Sequence, residues 1–186
     1  MTGGTVGADG SGIVIRDAVG ADVPGIAAVH VQAWRESYAP FLSGEALAGL
    51  CVGDRARLWQ STFQTPDPTA RLLVAEQDSR IVGFCRGGAV RSRDGVPLGT
   101  EADIYAIYLL DAVKRQGLGR RLLRGVFDHL AAGGFASVGL WVLRDNAPAR
   151  RFYEAMRGVP GPEQSFEIAG QTLVETAYRF EPIPRA

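Results

Sequence analysis

Two glycines separated by one residue, Gly117 and Gly119, lie where an apolar segment gives way to a predicted helix. The start of a helix presents backbone N–H groups without intrahelical partners and the positive end of the helix dipole, and both favour an anion. Glycine also lets the backbone approach such a ligand closely. Arg115 and Arg120 flank the pair and add positive charge. The spacing therefore indicates a phosphate-binding turn.

Two other phosphate-binding motifs fail at defined positions of this turn. A dinucleotide fingerprint needs Gly or Ala at the position that Leu122 occupies, and a P-loop needs a Gly-Lys-Ser/Thr sequence that the chain lacks. A Gly-x-Gly pair by itself is equally compatible with simple loop closure. The identity of the anion therefore depends on residues elsewhere in the chain.

The segment from Lys114 to Gly119 resembles the coenzyme A turn of the GCN5-related N-acetyltransferase (GNAT) family, whose usual sequence is Arg/Gln-x-x-Gly-x-Gly/Ala. Lys114 departs from the first position of that pattern. A second segment, from Asn146 through Phe152 and Tyr153, resembles the family's downstream cofactor element. The resemblance extends from Ile13 to Phe180 and implies an N-acetyltransferase that uses acetyl-CoA as co-substrate and needs no metal.

The same resemblance implies which residues hold the cofactor. The strand residues Ile107, Tyr108 and Leu109 correspond to the strand that pairs with the pantetheine arm, and the Leu109 N–H to the donor for the thioester oxyanion. Asn146 is expected to contact the same arm or to order a water molecule. The pyrophosphate is expected at the turn, on Arg115, Gln116, Gly117, Leu118, Gly119 and Arg120.

Tyr153 occupies the family's usual tyrosine position and is the predicted general acid for the departing thiolate. The alternative is a packing ring beside Phe152. The thiolate needs a proton donor, whereas the attacking amine needs a base, because an ammonium of pKa ~10.4 must first lose a proton.

Asp103 is the predicted base for that proton. It precedes Leu109 by six residues, so the two-residue period of a strand predicts that it shares a face with Tyr105, Ile107 and Leu109. A solvated carboxylate at the end of the strand, or a salt-bridge partner, is an equal alternative. Glu101 and a water chain are further candidates for the base.

The acceptor amine is not identified by the sequence. Trp34, Glu36 and Tyr38 lie in the region that shapes the acceptor pocket in the family, and Glu36 and Glu45 would suit a cationic acceptor if they point inward. Trp141 is either a wall of the site or core. A small-molecule or peptide amine is the expected acceptor, and a non-catalytic CoA-binding or interaction domain is the alternative function.

The composition argues against several other classes of protein. Lys plus Arg and Asp plus Glu each total 20, so the formal net charge is zero, which disfavours binding to nucleic acid or to a membrane surface. Two cysteines and two histidines form no metal-ligand spacing. No apolar run approaches the ~20 residues of a membrane span, and a cytoplasmic location is expected. The family resemblance also implies that a homodimer can form.

Apolar periodicity predicts an α/β (α+β) fold in one domain. We expect a flexible leader over residues 1–12, the domain over 13–181 and a tail over 182–186. The resemblance implies a GNAT fold, with a mixed, mostly antiparallel, twisted sheet of about seven strands flanked by about four helices. The predicted strands are Ile13–Arg16, Leu72–Ala75, Ile81–Cys85, Asp103–Leu109, Val138–Val142, Phe166–Ile168 and Thr172–Phe180, and the helices lie near Asp22–Trp34, Leu47–Phe63 (one or two helices), Gly117–Ala132 and Asn146–Met156.

Overall fold

The structure, a computed structural model, describes the backbone of residues 5–8 and the full residues 12–91 and 95–185. The strands are β1 (Thr5–Ala8), β2 (Ile13–Asp17), β3 (Arg71–Gln77), β4 (Arg80–Ala89), β5 (Ala102–Leu109), β6 (Val138–Leu143), β7 (Val159–Ile168) and β8 (Gln171–Phe180). The α-helices are α1 (Val23–Tyr38), α2 (Gly44–Ala48), α3 (Val52–Gln64), α4 (Leu118–Ala132) and α5 (Ala147–Ala155).

The described strands form one sheet in the order β1-β2-β3-β4-β5-β6-β8-β7. Only β5 and β6 run parallel, and every other neighbouring pair is antiparallel. The predicted mixed, mostly antiparallel sheet is confirmed, and β2 to β8 are the seven strands expected from the sequence. No described helix is long and apolar enough to cross a bilayer.

The two ends of the chain add to the predicted domain. Strand β1 lies within residues 1–12, where a leader is expected, and pairs with β2; residues 1–4 and 9–11 of that segment lie outside the described residues. Within the predicted tail, Ile183 is buried and its N–H donates to the carbonyl of Ala136.

Both faces of the sheet are covered by helices. The apolar stripe predicted on α4 is buried against one face, because its residues recur at helical spacing and bring their side chains to the same side. These residues are Leu118, Leu122, Leu123, Val126, Phe127 and Leu130. On the other face, α1 and α3 pack over β3 and β4, with Ile26, Trp59 and Phe84 in the centre of the contact.

A β-bulge in β5 changes which side chains share a face. Arg86 of β4 pairs with Ala106, whereas the next residue, Gly87, pairs with Ile104, so Tyr105 is the extra residue. Before the bulge Asp103 pairs with Gly88, and after it Tyr108 pairs with Phe84.

Asp103 therefore lies on the α1 face of the sheet together with Tyr108, since paired residues share a face and Phe84 and Gly88 are an even number of residues apart. The prediction that Asp103 shares a face with Ile107 and Leu109 is wrong. The reason is the single inserted residue, which inverts the alternation.

Strands β5 and β6 pair only at their first residues. Ala102 pairs with Val138 and Asp103 with Gly139, and no later pair is formed. The edge of β5 that faces β6 is thus open along the rest of the strand. The N–H of Leu110 bonds to β4, so the alternation of backbone groups directs those of Ile107 and Leu109 towards the open edge.

Candidate active site

A cavity of about 410 Å³ lies at this gap, on the α1 face of the sheet. The C-terminal half of α1 forms one wall, β5 and β6 form the floor, and the β7–β8 hairpin forms the opposite wall. The lining residues are Trp34, Tyr38, Leu42, Asp103, Ile104, Tyr105, Tyr108, Trp141, Leu143, Gln164, Phe166, Ile168, Leu173 and Glu175.

Aromatic rings make up much of this cavity. The ring centroids of Trp34 and Tyr38 are 4.8 Å apart, and those of Trp34 and Tyr108 are 6.5 Å apart. Burial raises the pKa of both Tyr38 and Tyr108, so these phenols stay protonated at neutral pH. Trp141, on the floor strand β6, is only partly buried and lines the cavity.

Asp103 lies on the floor of the cavity with 2% of its surface exposed. Arg91 Nη2 is 3.2 Å from its Oδ2, and the same guanidinium lies 3.9 Å from the centroid of the Tyr105 ring. The ion pair expected as one alternative is formed, and Asp103 also belongs to the lining of the cavity. Glu101 is exposed and accepts the N–H of Ala136 at 2.7 Å, so it does not line the cavity.

Glu175 is a second carboxylate in the cavity, and sequence reasoning missed it. Its Oε1 accepts a hydrogen bond of 2.7 Å from Gln164 Nε2 of the neighbouring strand β7. Its charge also contributes to the raised pKa of Tyr38, after burial and the neighbouring phenols of Tyr108 and Tyr153. An acidic residue near the apolar positions Val174 and Ala177 of the predicted last strand was the available signal, because a carboxylate in a partly buried strand needs a partner.

The glycine turn lies next to the open end of β5. Gly117 has φ +78° and precedes the first residue of α4, and a Cβ placed on it would have no neighbour within 4 Å. The backbone conformation at this position therefore favours glycine, and the missing side chain leaves open space above the turn. Arg115, also at positive φ, and Arg120 are exposed beside it.

Gly119 brings three of the predicted cofactor elements together. A Cβ on this residue would lie 3.5 Å from Phe152 Cζ of α5 and 3.6 Å from Leu109 Cδ1 of β5. The unpaired N–H groups at the start of α4, the glycine turn and the arginines form a donor set that fits a diphosphate. The open edge of β5 continues from that position.

Lys114 and Glu36 are used to hold the turn in place. Lys114 Nζ lies 3.0 Å from Ser37 Oγ and 2.5 Å from Asp111 Oδ1, and Glu36 Oε2 accepts the N–H of Asp111 at 2.8 Å. Glu36 therefore does not point into the cavity as a cationic acceptor would require. Glu45, on α2, is exposed and is not among the lining residues.

Tyr153 lies in the core between α5 and the sheet, 7% exposed, and does not line the cavity. Burial raises its pKa well above the ordinary value, with smaller contributions from Cys85 and Tyr108. The phenol therefore remains a proton donor. Asn146 caps α5, its Oδ1 accepting the N–H of Ala149 at 3.2 Å.

Comparisons with known proteins show that this chain is similar to N-acetyltransferases. The model of the Acetyltransferase (GNAT) family matches residues 31–159. The uncharacterized N-acetyltransferase YuaI of Bacillus subtilis is 33% identical over 165 residues, which are 88% of this chain and 90% of YuaI.

The fold is shared with solved structures of other proteins, including two that contain coenzyme A or acetyl-CoA. PaiA N-acetyltransferase from Thermoplasma acidophilum, in complex with coenzyme A, has a TM-score of 0.65 and 18% identity over 88% of this chain and 97% of its own. The yncA protein from Salmonella typhimurium, with its cofactor acetyl-CoA, has a TM-score of 0.70 and 20% identity over 95% and 97% of the two chains.

Proposed function

Because the chain belongs to the GNAT family of acetyltransferases, we propose that it transfers the acetyl group of acetyl-CoA directly to a primary amine of a small molecule or peptide. The observation that carries this proposal is the gap between β5 and β6. The glycine turn lies at one end of the gap. A cavity with two carboxylates lies beside the gap, on the α1 face of the sheet. Donor and acceptor can thus meet along one strand edge.

On the donor side, the start of α4 supplies the anion site. The N–H groups from Gln116 to Arg120, with the side chains of Arg115 and Arg120, would hold the pyrophosphate. The outward-facing backbone groups of Ile107 and Leu109 would pair with the pantetheine arm. The backbone of Tyr108 pairs with Phe84 of β4 and so does not face the pantetheine arm. Its side chain lines the cavity.

The reaction needs a neutral amine, a donor for the negative charge on the thioester oxygen and a proton for the leaving sulfur. We assign the oxyanion to the Leu109 N–H on the open edge and the proton to the Tyr153 hydroxyl. Asp103 would take the proton of the ammonium. The β4 partners of Asp103 and Leu109, Gly88 and Gly83, are five residues apart. A strand rises ~3.3 Å per residue, so Asp103 lies roughly 16 Å along the sheet from the oxyanion donor and would act through a chain of water molecules.

Replacing Gly117 by Ala should weaken acetyl-CoA binding. The side chain would project into the open space above the turn, and the positive φ would cost about 1–2 kcal/mol. Gly134, beyond the end of α4, is the matched control, since it has φ +91° and also no neighbour within 4 Å. Both variants should melt at similar temperatures without ligand.

Thermal melting with acetyl-CoA separates the two variants. At ~100 times the dissociation constant the wild-type protein and Gly134→Ala should gain ~2.7 kcal/mol, and Gly117→Ala should gain less. The donor assignment fails if the wild-type melting temperature is unchanged at millimolar acetyl-CoA. Binding without release of free CoA thiol across a broad amine panel would favour the non-catalytic alternative.

Replacing Asp103 by Asn should lower kcat about 10- to 100-fold near pH 7 and leave acetyl-CoA affinity unchanged, because only proton removal is impaired. The defect should shrink as the pH approaches ~10, where the amine loses its proton to solvent. Steady-state kinetics from pH 7 to pH 10 measure both effects. Glu101→Gln, outside the cavity, is the control, and equal rates for Asp103→Asn and the wild type at pH 7 would refute the assignment.

A further inference from the structure

The carboxylate of Glu175 is held at a defined place in the cavity wall. In the sheet register it pairs with Leu143 on one side and with Gln164 on the other, at the centre of three adjacent strands. Gln164 Nε2 donates to its Oε1 at 2.7 Å, which orients the carboxylate relative to the cavity. A hydrogen-bonded carboxylate in a partly buried wall binds a cation more strongly than an exposed one.

The surfaces around this carboxylate suit an ammonium group on an apolar body. Besides the phenols of Tyr38 and Tyr108, the cavity presents the rings of Trp34, Trp141 and Phe166. Aromatic faces attract cations through their quadrupole and pack against alkyl or aryl groups. A ligand with one cationic end and an apolar remainder can satisfy both kinds of surface.

The charges of the cavity disfavour a ligand that also carries a carboxylate. Both charged residues in the described lining, Asp103 and Glu175, are acidic, and Asp103 is paired with Arg91 at 3.2 Å. Arg91 and Arg55 lie 3.9 Å and 5.5 Å from the ring centroids of Tyr105 and Trp34 and are not lining residues. An anionic group on the carbon next to an amine bound at Glu175 would thus lie close to the negative charge of Glu175 itself.

We infer that Glu175 binds the ammonium group of the acceptor, and that the acceptor is a primary amine on an apolar alkyl or aryl body without a carboxylate on the adjacent carbon. This inference rests on the proposed function for the reaction that follows binding. Glu175 acts in recognition of the amine, whereas Asp103 acts in its deprotonation. The two roles separate as an effect on binding and an effect on turnover.

The test is a binding measurement on the full chain saturated with CoA, so that it does not depend on turnover. Trp34 and Trp141 line the cavity, and quenching of tryptophan fluorescence reports occupancy. The probes are 2-phenylethylamine and hexylamine, the neutral isostere 2-phenylethanol, and the amino acids phenylalanine and norleucine. Each amine should bind about tenfold or more tightly than its amino acid, and 2-phenylethylamine should likewise exceed 2-phenylethanol.

Glu175→Gln keeps the shape of the side chain and removes its charge. It should weaken binding of both amines about tenfold or more and leave the affinity for acetyl-CoA unchanged. Glu167→Gln is the matched control, because Glu167 is an exposed carboxylate on the same hairpin and does not line the cavity. It should bind the amines as the wild-type protein does.

Several results would overturn the inference. Equal or tighter binding of the amino acids, no detectable binding of either amine at millimolar concentration, or unchanged amine binding in Glu175→Gln would each do so. If Glu175→Gln fails to fold, the comparison of amine, alcohol and amino acid on the wild-type protein still decides. Acetyl transfer that favours amino acids would refute this inference alone, whereas the absence of an acetyl-CoA melting shift would refute the proposed function.

Discussion

Replacement of Tyr153 by Phe is expected to lower kcat about 100-fold or more while the affinity for acetyl-CoA stays within a factor of two. The variant loses only the hydroxyl, and a positioned general acid contributes 10²–10⁴-fold to such a rate. Burial keeps this phenol protonated, which is the state that a donor to the leaving sulfur requires. Initial rates of CoA thiol release at saturating substrates give kcat, and acetyl-CoA titration gives the affinity.

Tyr178 supplies the matched control for this experiment. Its ring centroid is 5.8 Å from that of Tyr153, and its hydroxyl donates to Glu154 at 2.6 Å. Tyr178→Phe therefore removes a structural hydrogen bond and should lower the melting temperature with little change in kcat. A kcat for Tyr153→Phe within twofold of the wild type would leave Tyr153 as a packing ring beside Phe152.

The second large effect concerns the pH dependence of stability and comes from His30. This side chain is 7% exposed, and its Nδ1 accepts a hydrogen bond of 3.0 Å from Trp59 Nε1, which requires the neutral ring. Burial, with a smaller contribution from Arg55, lowers the pKa of His30 to about 4. Unfolding returns this pKa to its ordinary value of ~6.5.

Between about pH 4 and pH ~6.5 the unfolded chain therefore binds more protons than the folded one. The contribution of His30 is fully present above pH ~6.5 and is lost as the pH falls towards 4, and it amounts to about 3 kcal/mol. Urea unfolding at pH 7 and at pH 4.5 should show the decrease in the free energy of unfolding.

Carboxylates also titrate between about pH 4 and pH ~6.5, so the effect of His30 is measured by comparing the pH dependence of stability between variants and the wild type. His30→Gln should lose part of the pH dependence, because an amide can accept from Trp59 and does not titrate. His129→Gln is the control and should keep the wild-type dependence, since His129 is only partly buried and its Nε2 lies 3.2 Å from the carbonyl oxygen of Thr69. The same slope for His30→Gln and the wild type would contradict the prediction.

The elements of the fold followed from local signals. The apolar stripe of α4, the β-branched residues of β2 and the apolar run of β5 predict helix and strands because side-chain periodicity is a local property of the backbone. The position of Gly117 before α4 was predictable for the same reason. Its positive φ agrees with the demand for glycine there.

The face on which Asp103 lies could not be predicted from the chain alone. The two-residue period holds only in a regular strand, and the bulge at Tyr105 arises from the pairing of β4 with β5. The loop before α4 is likewise bonded to α1 by residues about 75 positions away in the chain. Lys114 donates to Ser37, and the N–H of Asp111 donates to Glu36. Local patterns carry no information on such contacts.

By itself the sequence determined the order of the elements, the turn that can hold a diphosphate and the family to which the chain belongs. Each of these depends on residues that are close together in the chain. The tertiary structure alone decided that Glu175 and Gln164 from the last hairpin share a cavity with Trp34 and Asp103. These side chains come from four separate elements, and only the packing of α1 against a sheet that opens between β5 and β6 brings them together.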